Sequence, residues 1–414
     1  GGPRCSYSGG SRRRPHDAPR SEARRDGLLP AAAWRQARAS SRVTLSETRL
    51  QEFMTAEIGY FATMSVRPVK LADIFQADTP ESAGRLILRS LPMHFATRIK
   101  HIEALPKWRD IPEIVDVRAT LTQSFRNLRL LENQGSDLTR LSECIEDIRQ
   151  RHKSIVPLLG FAMGEMRAEG LVNEAFASEW LHTFLVARIS TEMLTLHYTL
   201  LNSGDDGTSG SCRGIVDSRC DPRDICTQVV EKLSQDPRFS AVPMKVESYV
   251  CGRSEKGIEF SFLPRYLILL VEELVKNSAW ATMRACDAAP QTKAPQPVTI
   301  FVGADDRQVM IEISDKGGGI PLDRQDRIWC FASASDRDVS HSAEDVAPPR
   351  ATLSWSDPLS GLGIKPRLGM GLPLTRLYTQ YLGGSLELMS IPGVGVDAFI
   401  NFRRIDKQSI DTLG

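Results

Sequence analysis

A polar, glycine-rich break at 202–214 divides this chain of 414 residues into two stretches of different periodicity, and no single repeating architecture spans it. Before the break, apolar residues recur at helical spacing: Val117, Leu121, Phe125 and Leu128, then Leu181, Leu185, Ile189, Met193, Leu196 and Leu200. Thr79-Pro80-Glu81 reads as a helix start, with Thr79 as N-cap, proline in the first turn and an acid near the positive end of the dipole. Pro92 and Pro106 are expected to kink and close that helix. Four or five long stretches with short connections predict an N-terminal all-α antiparallel four-helix bundle. Beyond the break, strand-like runs at Val298–Val302, Val309–Ile313, Ser385–Met389 and Ala398–Phe402 alternate with helical stretches at 264–286 and 373–382, which predicts a C-terminal α+β domain. The expected boundaries are 44–204 for the bundle and 205–414 for the α+β domain. A Ser-, Asp- and Pro-rich stretch at 333–366 inside the latter is expected to be a lid.

Composition narrows the function classes. With 41% hydrophobic and 25% charged residues the chain reads as soluble and globular, and no run reaches the roughly 18 apolar residues of a membrane-spanning helix. A net charge of +1 argues against a dedicated nucleic-acid binder. Residues 1–43 differ from the rest. They hold ten arginines against Asp17, Glu22 and Asp26, with no lysine and many Ser and Ala. That is the pattern of a mitochondrial transit peptide; a disordered tail or a misplaced gene start is the plainer alternative. Eight scattered cysteines without a C-x-x-C pair are expected to be reduced structural thiols in a reducing compartment.

Three motifs carry chemistry. Pro264 opens a helix on which Glu273 and Asn277 are four residues apart and share a face, with Trp280 and Arg284 continuing it. A carboxylate beside a carboxamide can activate a hydroxyl and offer oxygen to a divalent metal, although an exposed Glu-Asn pair is equally compatible with that spacing. In Ile313-Ser314-Asp315-Lys316-Gly317-Gly318-Gly319-Ile320-Pro321, a strand ends in an acid followed by three glycines, more than a turn needs. Such backbone lets a flat ligand approach while the carboxylate accepts from an amino group. Gly369-Met370-Gly371-Leu372-Pro373 then precedes a helix, an arrangement that suits phosphate.

In that order the motifs resemble the GHKL-type ATP-binding fold, and more narrowly the mitochondrial 2-oxo acid dehydrogenase kinases, which include pyruvate and branched-chain 2-oxo acid dehydrogenase kinases. The resemblance rests on Phe260-Ser261-Phe262-Leu263-Pro264 with Glu273-Leu274-Val275-Lys276-Asn277, on Ser314 through Pro321, and on Gly369 through Tyr378. In the helical half it rests on Arg151-His152-Lys153-Ser154-Ile155-Val156-Pro157, on Ala187-Arg188-Ile189-Ser190 and on Leu91 to Pro106. It covers about 45–405. It implies an ATP-binding sandwich of mixed sheet and helices after the bundle, and a serine/threonine kinase of the mitochondrial matrix that inactivates the decarboxylase α subunit of such a complex. It implies Glu273 as the base for the substrate serine, His152 as the residue that tunes it, and Asn277 as the Mg²⁺ holder. Asp315 would accept from the adenine amino group between Gly317 and Gly319. Gly369, Gly371 and Leu372 would lie on the phosphates. The implied partners are the decarboxylase α subunit, the lipoyl domain of the acyltransferase core and a second copy of the chain.

Three positions depart from the family pattern: Trp280 where Arg is usual, Arg367 where another Gly is common, and Val396 in place of a Thr near adenine. They keep a weakly catalytic pseudokinase docking on the complex as an alternative; a protein-histidine kinase or other GHKL ATPase is a second, against which the missing phospho-acceptor motif counts. Glu272 is a rival base that would point elsewhere. The ending at Gly414 with Tyr381-Leu382-Gly383-Gly384-Ser385 leans toward branched-chain kinases, whereas Arg367 through Pro373 looks like pyruvate-directed kinases of fungal type, and the latter substrate is slightly favoured.

Overall fold

A computed structural model describes Gly1 and residues 46–64, 69–132, 138–203, 212–250, 257–288, 294–331 and 370–404. The arginine-rich segment, the stretch at 333–366, Arg367 and Gly369 lie outside the described residues. Residues 1–52 and 53–414 are separate compact units, and α1 (Glu47–Thr63) begins in the first.

The helical half comprises α2 (Leu71–Gln76), α3 (Pro80–Glu103), α4 (Pro112–Glu132), α5 (Leu138–Arg151), α6 (Ile155–Ala168) and α7 (Glu174–Ser203). The start of α3 follows the local chemistry of its sequence. Thr79 caps it by accepting from Ser82 N at 3.2 Å, the Ser82 hydroxyl answers on Thr79 N, and Pro80 fills the first turn. The helix runs on through Pro92 and ends at Glu103, ahead of Pro106. Ile87, Leu91, Phe95 and Ile99 form its fully buried stripe, packed on Val117, Leu121, Phe125 and Leu128 of α4 and on the Leu181–Leu196 stripe of α7. Each stripe repeats every three or four residues, so one face of each helix leaves water.

After the break, β1 (Cys212–Arg213), β2 (Val216–Cys220) and β4 (Phe260–Phe262) form a small antiparallel sheet. The main sheet has the order β3-β5-β6-β8-β7, from β3 (Met244–Val250), β5 (Val298–Ala304), β6 (Gln308–Asp315), β7 (Ser385–Ile391) and β8 (Gly395–Arg403). β3 pairs parallel to β5; the other neighbours are antiparallel. Helices α8 (Pro222–Gln235), α9 (Pro264–Ala288) and α10 (Gly371–Tyr381) cover one face. That face carries Val298, Ile300 and Val302, then Val309, Ile311 and Ile313, then Ala398, Ile400 and Phe402, all buried. The four strands and two helices expected here are present. Sequence periodicity did not reveal α8, whose N-terminus is held by the Asp221 carboxylate accepting from Arg223 N and Asp224 N.

Among the described residues no helix is long and apolar enough to cross a membrane. Cys144, Cys220, Cys226, Cys286 and Cys330 are free thiols, and burial pushes those of Cys144 and Cys226 up to about 11 and about 12.

Candidate active site

The chemistry-bearing motifs converge where α9, the end of β6 and the N-terminus of α10 meet. On β6 the period of two places Val309, Ile311, Ile313 and Asp315 in one inward row, so the strand ends by pointing a carboxylate at the helical layer. Asp315 is 3% exposed, accepts from Gly317 N at 2.9 Å, and is also bonded by the Ser278 hydroxyl of α9 and by Val396 N. Burial raises its pKa, and those three donors oppose the rise. A Cβ on Gly317 would lie 2.5 Å from Ala281 Cβ, so only glycine lets this loop pass against α9. Gly319 adopts φ +71°, with the Ile391 carbonyl where a side chain would begin.

On α9, Glu272 and Glu273 have different environments. Glu272 is buried and holds Lys232 Nζ at 2.9 Å together with Lys276, so it is committed to two cations. Glu273 takes no hydrogen bond from a described residue. Its pKa is raised chiefly by burial; Lys276 opposes the rise and Glu272 adds to it. Its Oε1 lies against Gly371, the first residue of α10: a Cβ there would be 2.1 Å away. Met370 precedes that helix without a side-chain cap, which leaves first-turn N–H groups to other acceptors and puts the positive end of the dipole at the carboxylate. Leu372 packs on the core one residue further.

One turn beyond Glu273, the Asn277 amide nitrogen is buried without a partner, so this carboxamide has open polar valence facing the site. A carboxamide oxygen is a ligand of the hard kind Mg²⁺ takes, and Mg²⁺ commonly keeps few protein ligands beside phosphate and water. Among the described residues no cluster of three His, Cys, Asp or Glu could hold a metal. Trp280 presents its ring edge-on to Phe239, with centroids 5.3 Å apart, and serves the core between α9 and the turn after α8.

His152 lies in the helical half, in a short turn between α5 and α6. Its Nε2 shares a hydrogen bond of 2.9 Å with Ser124 Oγ of α4, and its ring stands edge-on to Phe95. Burial, then Arg98, Arg188 and Arg151, hold its pKa well below the usual histidine value, so the ring is neutral. No hydrogen bond among the described residues joins it to Glu273. The structure thus brings Glu273, Asn277, Asp315, Gly317, Gly319, Gly371 and Leu372 to one end of the sheet, and leaves His152 in the bundle. Ser278 was not singled out from the sequence; its signal is its place on α9 beside Asn277. The lysines that occupy Glu272 had no signal beyond i,i+4 spacing for Lys276.

Known proteins share both halves. The family model for mitochondrial branched-chain alpha-ketoacid dehydrogenase kinase matches residues 69–217. The mitochondrial [pyruvate dehydrogenase (acetyl-transferring)] kinase isozyme 3 of Mus musculus is 27% identical over 380 residues, covering 88% of this chain and 87% of that protein. Isozyme 4 of Mus musculus is 27% identical over 372 residues, with 86% of each chain covered, and isozyme 1 of Rattus norvegicus is 26% identical over 374 residues, with 86% and 82% covered. With the helical half before it and an acid, a carboxamide and glycine-rich backbone gathered at one end of the mixed sheet, the chain is similar in both halves to the mitochondrial 2-oxo acid dehydrogenase kinases, a family of ATP-using protein kinases.

Proposed function

We propose that this kinase transfers the ATP γ-phosphate to a serine of the decarboxylase α subunit of a mitochondrial 2-oxo acid dehydrogenase complex, in the matrix, and so inactivates it. The observation that carries the reading is the contrast between the two adjacent acids of α9. Glu272 is neutralised by two lysines, whereas Glu273 takes no hydrogen bond from a described residue, is raised in pKa and is set against the first residue of α10. A base poised above the ordinary carboxylate range can take a hydroxyl proton as the oxygen attacks. Phosphoryl transfer then needs mainly positioning and charge stabilisation.

The nucleotide is read as lying between Asp315, which would accept from the adenine amino group beside Gly317 and Gly319, and the N-terminus of α10, where Gly371 and Leu372 would meet the phosphates. Asn277 would hold Mg²⁺, which when bound neutralises phosphate charge. His152 is read as a residue that acts on Glu273 from the bundle. The division at 204/205 into a docking bundle and a kinase domain, engagement of the lipoyl domain of the acyltransferase core, and a homodimer complete the proposal.

Pyruvate dehydrogenase is slightly favoured as substrate, in line with the names of the similar proteins; the branched-chain complex is the second reading, favoured by the family model over 69–217. Incubating the purified chain and radiolabelled ATP with the decarboxylase components of both complexes tests this directly. Label on a serine of either α subunit, lost in Glu273→Gln, supports the reading; nucleotide binding with no transfer to either component sinks it.

A further inference from the structure

Glu192 belongs to α7 of the bundle and makes a buried polar tie between that helix and α10. Arg188 Nη1 donates to Glu192 Oε2 at 2.5 Å, one turn away on the same helix, and both side chains are nearly buried. That ion pair is made within α7 itself. Yet the same Oε2 also accepts from the hydroxyl of Tyr378 at 3.0 Å, and Tyr378 is 1% exposed in the middle of α10. Arg188 reaches the Tyr378 oxygen as well, so acid, cation and phenol close a buried triangle. Tyr266 of α9 stacks on the Tyr378 ring, with centroids 5.8 Å apart.

Other contacts also hold α10. Arg376 lies over the Trp329 ring at 4.5 Å, and Arg327, in the same short turn as Trp329, pairs with Glu174 at the start of α7 at 3.1 Å. The Tyr381 hydroxyl donates to the Val69 carbonyl. From Tyr378 back to Gly371 is two turns, roughly 10 Å of stiff helix. At that end the helix presses on Glu273, a carboxylate that no hydrogen bond from a described residue fixes.

We propose that Glu192 is a positioning residue for phosphoryl transfer: through the Tyr378 hydroxyl it fixes α10, and α10 fixes Gly371 against the Glu273 carboxylate. A need for packing alone would be met without the phenol, because the Arg188–Glu192 ion pair forms within α7 and a phenylalanine would fill the same core space. The oxygen of Tyr378 is what ties the acid of the bundle to the helix that bounds the base. The inference rests on Glu273 being the base.

The test is a double-mutant cycle on the full chain, with whichever decarboxylase component the wild-type chain phosphorylates as substrate. Tyr378→Phe and Glu192→Ala should each lower kcat per folded molecule about ten-fold, since sub-ångström misplacement of a reacting group suffices for that. Nucleotide Kd should change less than about two-fold, and the double variant should be no slower than the slower single one, because both remove one interaction. Glu192→Gln, which keeps an acceptor for the phenol, should recover most of the rate lost in Glu192→Ala. Wild-type kcat in Tyr378→Phe, or losses that multiply in the double variant, overturns the proposal. Glu273→Gln runs in parallel: if it loses turnover while Tyr378→Phe does not, only the positioning role fails. If Glu273→Gln keeps turnover, the base assignment fails and the positioning role with it.

Discussion

Gly371 and Glu273 meet so closely that a methyl group on the glycine would lie 2.1 Å from the carboxylate oxygen. The obstacle is the far end of a flexible side chain rather than backbone, so Gly371→Ala should fold with its melting temperature nearly unchanged while Glu273 swings aside. A displaced base loses general-base assistance, typically about 10²–10⁴-fold. Single-turnover phosphorylation should therefore slow by at least ten-fold. Unchanged turnover would show that Glu273 does no work at the position it occupies.

Asp315→Ala should weaken ATP without preventing folding of the sheet. Loss of the partner for a buried amino group costs about 1–3 kcal/mol, or roughly five- to 150-fold in affinity. Isothermal titration with ATP reads this directly. Some of the loss will come from the loop, because Asp315 also anchors Gly317 N. A GTP control separates the two, since only adenine recognition discriminates between the purines.

Glu273→Gln and Asn277→Ala should part company. The first keeps volume and removes the proton acceptor, so turnover falls by about 10²–10⁴ with nucleotide affinity retained. The second should lower affinity in the presence of Mg²⁺ and leave metal-free nucleotide binding close to wild type. Equal losses of melting temperature in both, with full activity per folded molecule, would return the pair to a structural role.

Two pH dependences follow from opposite shifts. The Glu273 pKa is raised, so the charged base forms at higher pH than an exposed glutamate's, and kcat should fall on the acid side at a correspondingly higher pH. His94, His152 and His197 are depressed, His94 to about 4, chiefly by burial. For them the unfolded chain binds more protons than the native one below the ordinary histidine value of about 6.5. Stability is therefore full above that value and is lost as pH falls toward the folded pKa, by at most about 1.4 kcal/mol per pH unit for each ring. Denaturant midpoints measured from pH 7 down to 5 should fall accordingly, and more steeply than in His94→Phe.

What could be read from the sequence was local. Thr79-Pro80 marks its helix because capping is settled within four residues, and Asp315 ends a strand whose alternation alone sends it inward. The alternation of Met244 through Val250 is as short as that of the strands that were recognised, but its partner β5 lies more than fifty residues on, in parallel register. Asp221-Pro222 is a legible start for α8, since the cap and the first-turn proline are adjacent in sequence. The environment of Glu192 was out of reach for another reason. Its partner Arg188 is one helical turn away, while Tyr378 is 186 residues distant, and nothing in either segment names the other. His152 shows the same limit: its place in the chain could be read, its bond to Ser124 could not.

Among the antiparallel seams of the sheet, one differs from the other two in kind. β5 and β6 are joined by a tight turn at Asp305, and β7 meets β8 across Ile391 and Gly395. β6 and β8 instead pair residues such as Ser314 and Asp397, 83 positions apart. Bringing those ends together costs about 2–3 kcal/mol more chain entropy than closing either turn. The two hairpins should thus form early and the central seam last, an order that pulse-labelled hydrogen exchange would register as late protection of β8 amides facing β6. Asp315 pairs with Val396 on that seam, so the pocket around this carboxylate comes into being only with the final step of folding.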